Sequence, residues 1–440
     1  MRQYQLTLTL LAAATLVACG GGATNTGTTT AEASVSESLA DPRAFASAVP
    51  SSYGSKLAKV SSQVTFGDSL SDVGTYAVGT VAALGGGKYS VNNVVNGVNQ
   101  ALNWTEWVAA GLGLPRPCAA QTGLDGDAAQ GFKVAVANHA RCTNYAQGGA
   151  RVTNPVGPGN KLLGGNNAVL GQLTVPVASQ IATHLAKTGG RFSGNEVVQV
   201  LAGANDVFIQ LATLSAGATA AATAAVTAAV PGQIGADIAA GTCAIANAQT
   251  SCVTAAVAAL TPTVGAQAAG AYVQANAPAA VAAMGTAGVE LATLVNTQIL
   301  AKGAKRVTVI NVPDMTKTPF AQSQSAATQG LITQMVTTFN TQLKANLATG
   351  TAVLHVDAYA VSQDQFAKPA YYGLTSVTLP ACDLTPQKNA LGSSLVCNKR
   401  NLIPGVVTYY QFADSVHPTP YGHGLLAYAV AKAMHTKGWL

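Results

Sequence analysis

Charge is what this chain has least of. Only 9% of its 440 residues are Asp, Glu, Lys or Arg, against roughly a quarter in an average soluble domain. Lys and Arg outnumber Asp and Glu by 23 to 17, yet no basic cluster or basic helix face forms, so nucleic acid is not an expected partner. No Cys-x-x-Cys and no Cys/His ligand spacing occurs, so neither a metal nor another cofactor is expected. Across 211–290, rich in Ala, the residues Thr, Gln, Asn, Gly and Pro interrupt every window before 18 apolar residues accumulate, which argues against a membrane span. No repeat of solenoid length is present.

What the chain does have is enough apolar sequence, 49%, for a large buried core. Ala, Gly, Thr and Asn take the surface positions that charged residues usually fill, a composition that suits an exported protein. The N-terminus agrees: Arg2 precedes an apolar run, Leu6 to Ala18, too short for a folded protein's spanning helix and read as a signal peptide. The run ends Leu16-Val17-Ala18-Cys19-Gly20, which looks like a lipobox. Residues 1–18 are therefore expected to be cleaved, Cys19 to carry lipid, and 19–61, rich in Thr, Ser and Ala, to be a flexible tether. Gly20, in place of Asp, does not suggest inner-membrane retention. The expected location is the outer membrane, on its periplasmic or cell-surface face, or release to the exterior. Six further cysteines fall as three near neighbours, and the pairs Cys118 with Cys142, Cys243 with Cys252 and Cys382 with Cys397 are expected in an oxidising compartment.

Along 62–440 the pattern alternates strand and helix. Val64 to Phe66 are β-formers ending at Gly67-Asp68-Ser69-Leu70, a turn that delivers Ser69 to a polar segment where backbone N–H groups point outward. Trp104 to Ala110 reads as a short helix whose tryptophans either line a pocket or pack in the core. Gly148-Gly149 follows a small apolar segment and marks a close backbone approach. A helix is expected over 172–187. Glu196 to Leu201 reads as a buried parallel strand closing on Gly203-Ala204-Asn205-Asp206, a binding position at the end of a strand. Residues 211–290 read as helical insertions broken by Pro231, Pro262 and Pro278, placed to shape a substrate pocket. The α/β rhythm then resumes with helix 289–302, strand 306–312, helix 328–347, strand 352–356 and a final helix over 421–437. Such alternation argues a parallel sheet with helices on both faces.

Near the end stands Asp414-Ser415-Val416-His417-Pro418. Three residues of separation let the carboxylate accept the imidazole Nδ1–H while Nε2 faces a serine brought from elsewhere. Gly67-Asp68-Ser69-Leu70, Gly148-Gly149, Gly203-x-Asn205-Asp206 and Asp414-x-x-His417-Pro418, in that order, form a constellation that resembles the GDSL, or SGNH, hydrolase family of esterases and lipases. No Gly-x-Ser-x-Gly elbow is present, so the common α/β-hydrolase pattern lacks its signature.

The resemblance implies a flavodoxin-like three-layer α/β/α fold over 62–440, with Ser69 as nucleophile, His417 as general acid/base and Asp414 as its orienting carboxylate. It implies an oxyanion hole made by the Ser69 N–H, the Gly149 N–H, with Gly148 as its rival, and the Asn205 amide. Asp72 and Asp206 read as turn or capping residues, and His423 as a helix-surface residue rather than a second base. Some relatives carry a C-terminal β-barrel, for which the residues after His423 leave no room, so the lipid on Cys19 is the expected membrane anchor. A monomer acting on ester or lipid substrates is expected. Phospholipid deacylation or acyl transfer through the same residues, and an inactive surface-binding lipoprotein, are the alternatives.

Overall fold

The computed structural model describes residues 39–49, 60–248 and 250–440. The expected signal peptide, Cys19 and most of the expected tether lie outside the described residues. The centre is a four-stranded parallel sheet of β1 (Ser62–Gly67), β2 (Glu196–Leu201), β3 (Val307–Ile310) and β4 (Val353–Val356), in that spatial order. On the free side of β1 the segment at Thr143–Tyr145 runs parallel beside it, Thr65 N–H donating to Thr143 O at 3.0 Å and Tyr145 N–H to Thr65 O at 2.8 Å. The chain thus visits one side of β1 before crossing to the other. That reversal is the switch point at which open α/β sheets bind ligands.

Alternate strand residues face opposite layers, as a period of two requires. Val64, Phe66, Val198, Val200, Val307 and Val309 join one core with Ile181, Met284, Leu291, Met335 and Phe339 from helices Val177–Lys187, Ala266–Leu294 and Ala326–Asn346. Val197, Leu201, Ile310, Leu354 and Val356 join a second core with Trp104, Val108, Tyr428 and Met434 from helices Trp104–Gly111 and Pro420–Thr436. Both faces of the strands are covered, which is why they read as near-continuous apolar runs interrupted by single polar residues such as Thr65, Gln199 and Thr308. The fold is the expected three-layer α/β/α arrangement. Trp104 and Trp107 are core residues: the Trp104 indole N–H donates to Ser71 Oγ at 3.2 Å, and Trp107 stacks on Phe45.

Three expectations are corrected. Residues Pro42–Ser47, inside the expected tether, form a helix capped by Asp41 and seated on Pro420–Thr436, with Phe45 buried against Trp107 and Tyr428. Prolines 231 and 278 do not break the insertion: helices Ala204–Ala239 and Ala266–Leu294 run through them. Both prolines are exposed, so the carbonyl each deprives of a partner can bond water. Thirdly, the helix Ala204–Ala239 and the helical run Ser251–Leu300 are each long and apolar enough to cross a membrane by length and composition, with 17% and 44% of their most apolar windows buried. Here helix Ala266–Leu294 packs between Ala204–Ala239 and Ala326–Asn346. All three expected disulfides are formed.

Candidate active site

Four chain segments meet at the C-terminal ends of β1 and β2. Ser69 leaves β1 on a turn in which Asp68 accepts the Leu70 N–H. His417 lies 348 residues further on, in the turn between the short strand Tyr410–Phe412 and helix Pro420–Thr436, whose N-cap is Thr419 and whose first residue is a proline, as suits a helix start. That turn closes on itself, the Ala413 N–H donating to His417 O at 2.7 Å. Ser69 Oγ and His417 Nε2 are 2.9 Å apart, and His417 Nδ1 is 2.8 Å from Asp414 Oδ2. The three side chains expected to act together therefore form one hydrogen-bonded row.

Asp414 is buried and fully engaged. Its Oδ1 accepts the Val416 and His417 N–H groups at 2.9 and 2.7 Å, and its Oδ2 accepts the Ser394 N–H at 2.8 Å. Burial alone would raise its pKa, but the His417 charge and the hydrogen bonds from His417 and Ser394 outweigh it and hold the carboxyl well below its ordinary range. It stays ionised at neutral pH. The Tyr89 ring lies 4.7 Å from the imidazole, limiting its tilt.

Two glycines shape the opposite wall. Gly149 has φ +79°, and a Cβ there would sit 2.1 Å from Pro158 O, so only glycine fits. Gly203 has φ +120°, with the Phe339 ring 2.5 Å from where a Cβ would stand. The Gly148 N–H is occupied, donating to Asp72 Oδ2 at 3.0 Å. Among the described residues the Ser69 and Gly149 N–H groups have no hydrogen-bond acceptor. The Asn205 amide donates one hydrogen to Ala150 O at 2.8 Å, which fixes its plane and leaves the other free.

The remaining acids hold this wall together. Asp72 makes the expected turn, accepting the Gly74 and Thr75 N–H groups, and adds the bond to Gly148. Asp206, expected to cap, instead turns its carboxylate away from its helix to Arg151 Nε at 2.8 Å and the Val152 N–H at 3.1 Å, tying the Gly149 loop to the helix bearing Asn205. His423 is not a surface residue: it is 1% exposed, and burial drives its pKa down to about 3. No group of three or more His, Cys, Asp or Glu that could hold a metal occurs among the described residues.

Beside Ser69 opens a cavity of about 110 Å³ lined mainly by apolar groups, among them Phe208, Met315, Val361, Phe366 and Leu426. Phe208 belongs to the first turns of helix Ala204–Ala239. None of the lining residues comes from 211–290, so the insertion does not shape this pocket as expected. It buttresses the sheet through Met284 and Leu291 instead. Tyr89, Ser394 and the pocket residues escaped the sequence reading, because ring contacts, main-chain donors and apolar linings carry no motif.

A doubly wound parallel sheet with a serine, a histidine and an aspartate in one hydrogen-bonded row at its switch point defines the class of α/β hydrolytic proteins. The sequence model of the GDSL-like lipase/acylhydrolase family matches residues 64–430. The chain belongs to that family, and is a hydrolase of the ester and lipid type. No match to it is found among curated proteins.

Proposed function

We propose that the protein is a serine-dependent carboxylic ester hydrolase in which Ser69 is the nucleophile, His417 the general acid/base and Asp414 the orienting carboxylate. The observation that carries this reading is the row Ser69 Oγ to His417 Nε2 to Asp414, already within hydrogen-bond distance and bordered by an apolar cavity. Ser69 attacks the ester carbonyl carbon as His417 takes its proton. The oxyanion is met by the Ser69 N–H, the Gly149 N–H and the free hydrogen of the Asn205 amide. His417 then protonates the departing alkoxide, leaving an acyl group on Ser69, and water activated by the same imidazole releases the acid. The ionised Asp414 holds the imidazole with Nε2 toward serine and stabilises the imidazolium.

The apolar lining favours the acyl part of the substrate on that side. Hydrolysis of p-nitrophenyl esters from short to long acyl chain, by the chain from residue 39 onward beside its Ser69→Ala variant, tests the reading. Turnover by the parent and none by the variant is the expected result. A folded parent inert on every ester contradicts it. We further propose an exported protein held to the outer membrane through lipid on Cys19, a location that three disulfides suit. Mass spectrometry of the N-terminal peptide from membranes should find Cys19 as an acylated first residue.

A further inference from the structure

The sequence 382–397 is closed into a loop by a disulfide, and both ends of that loop reach the turn that carries Asp414 and His417. At one end the Cys382 N–H donates to Ala413 O at 2.9 Å, directly before Asp414. Towards the other end Ser394 gives its main-chain N–H to Asp414 Oδ2 at 2.8 Å. Cys382, Cys397 and Ala413 pack together in a small buried cluster of their own. The disulfide therefore closes a frame with the carboxylate inside it.

A second element clamps the Ser394 end. Asn92, 2% exposed, directs its amide at the carbonyls of Ser394 and Cys397, at 3.0 and 2.9 Å, and its own N–H donates to Cys397 O at 2.7 Å. Asn92 is itself pinned, its Oδ1 accepting the Lys88 N–H. Without the Ser394 N–H, Oδ2 would keep only the imidazole, and the bonds that fix the carboxylate plane would all lie on Oδ1.

We propose that Ser394 is a positioning residue of the hydrolytic site, acting through its main-chain N–H, and that the Cys382–Cys397 disulfide and Asn92 exist to hold that N–H on Asp414. The loop thereby sets the orientation of the Asp414–His417 pair and contributes to turnover, not to substrate binding. The inference rests on the proposed roles of Ser69, His417 and Asp414.

Proline at 394 removes the main-chain donor, and alanine at the same position controls for the loss of the buried hydroxyl. Ser394 is the first residue of a 3₁₀ turn, and Ser393 before it is extended at φ −139°, ψ 148°, the backbone a proline favours on its N-terminal side. In the full chain, Ser394→Pro, Ser394→Ala, Asn92→Ala and the double variant Cys382→Ser/Cys397→Ser are compared for kcat and KM on a p-nitrophenyl ester and for the rate of Ser69 labelling by a fluorophosphonate. The disulfide is buried, so cysteine replacement is preferred to reductant. Ser394→Pro should lower kcat and labelling rate by about 10²-fold with KM unchanged, the cost of a misplaced catalytic group. Ser394→Ala, which keeps the N–H, should stay within about threefold of the parent, since the buried Ser394 Oγ has no hydrogen-bond partner and its loss breaks no bond of the frame. The cysteine and Asn92 variants should lower kcat in the same direction. If Ser394→Pro does not fold, the cysteine pair decides: full kcat in its folded form overturns the proposal, as does a folded Ser394→Pro as active as Ser394→Ala. A parent that neither hydrolyses esters nor is labelled at Ser69 overturns the hydrolase reading itself, and this inference with it.

Discussion

Asn205 and Asp68 line the same cavity as Ser69 and answer to different physics. Asn205 presents a free amide hydrogen because its other one is spent on Ala150 O. Asn205→Ala should cut kcat by about 10²- to 10³-fold while leaving the fold intact, as removal of one oxyanion donor does. Steady-state kinetics with a check of folding by circular dichroism measures it. Asp68 is 1% exposed, its Oδ2 lacks a partner, and burial pushes its pKa up to about 7. A carboxyl whose pKa is raised on folding binds more protons folded than unfolded, so its ionisation costs stability progressively as pH rises from about 4 to about 7. Asp68→Asn should therefore melt slightly above the parent at pH 5 and by a clearly wider margin at pH 8. A gap of the same size at both pH values would contradict this account.

Motif residues were legible in the sequence because their side chains do the work. Gly67-Asp68-Ser69-Leu70 and Asp414-x-x-His417 could be joined across 348 residues, since a hydroxyl, an imidazole and a carboxylate make chemical sense only together. Gly149 over Gly148 was stated as an expectation, and the Gly148 N–H proves to be taken by Asp72. Ser394 was not legible, because any residue but proline supplies an N–H. His423 was misplaced because a helix with apolar residues on most of its faces gives no clue to which side a histidine takes.

At the scale of elements, strands were easier to read than helix ends. A strand buried on both faces is mostly apolar, and Val197, Val198, Val200 and Leu201 make Glu196–Leu201 legible despite the buried Glu196 and Gln199. Helix boundaries in an Ala-rich stretch carry no such contrast, and the prolines at 231 and 278 were misread as breaks because exposure, which makes them tolerable, is a tertiary property. The helix Pro42–Ser47 was missed for the same reason: its one strong anchor, Phe45, has meaning only beside Trp107 and Tyr428. Phe45→Ala should cost about 3 kcal/mol, as large-to-small changes in a core do, read from urea unfolding. A chain beginning at residue 60 should show a similar loss, and an unchanged midpoint for both would mean that the helix does not brace the domain. The pocket is an assembly of several elements. Its volume of about 110 Å³ is below the roughly 150 Å³ that holds six-carbon benzene, so acyl chains of fewer than about six carbons should fit best. Phe366→Ala should move the optimum to longer esters, and an unmoved profile would remove Phe366 from the acyl site.

For the whole molecule, the same burial that builds the site sets an acid limit. His184, packed among Phe66, Tyr145 and Phe192, is driven down to about 4 by burial, and His423 to about 3. A histidine whose pKa falls on folding loses stability as pH drops below its ordinary value of about 6.5, towards its folded value. Asp68 works in the opposite direction over much of that range, so acid loss should be steeper in Asp68→Asn than in the parent. Thermal midpoints between pH 4 and pH 8 follow both slopes. The three-layer arrangement was legible from the alternation of strands and helices, and the disulfides from cysteine spacing, but the reach of 211–290 was not. Its helices pack on the sheet's flank, where Met284 and Leu291 share a core with Phe339, and residues 211–290 contribute nothing to the pocket lining.

The central claim is that Ser69 carries the acyl group between two half-reactions. Rapid quench of the protein with a p-nitrophenyl ester, followed by peptide mass spectrometry, tests it most directly. The account predicts a burst of p-nitrophenol and an acyl adduct on the Ser69 peptide, both absent from Ser69→Ala. Turnover with no adduct on Ser69, or with equal rate in the variant, would contradict it.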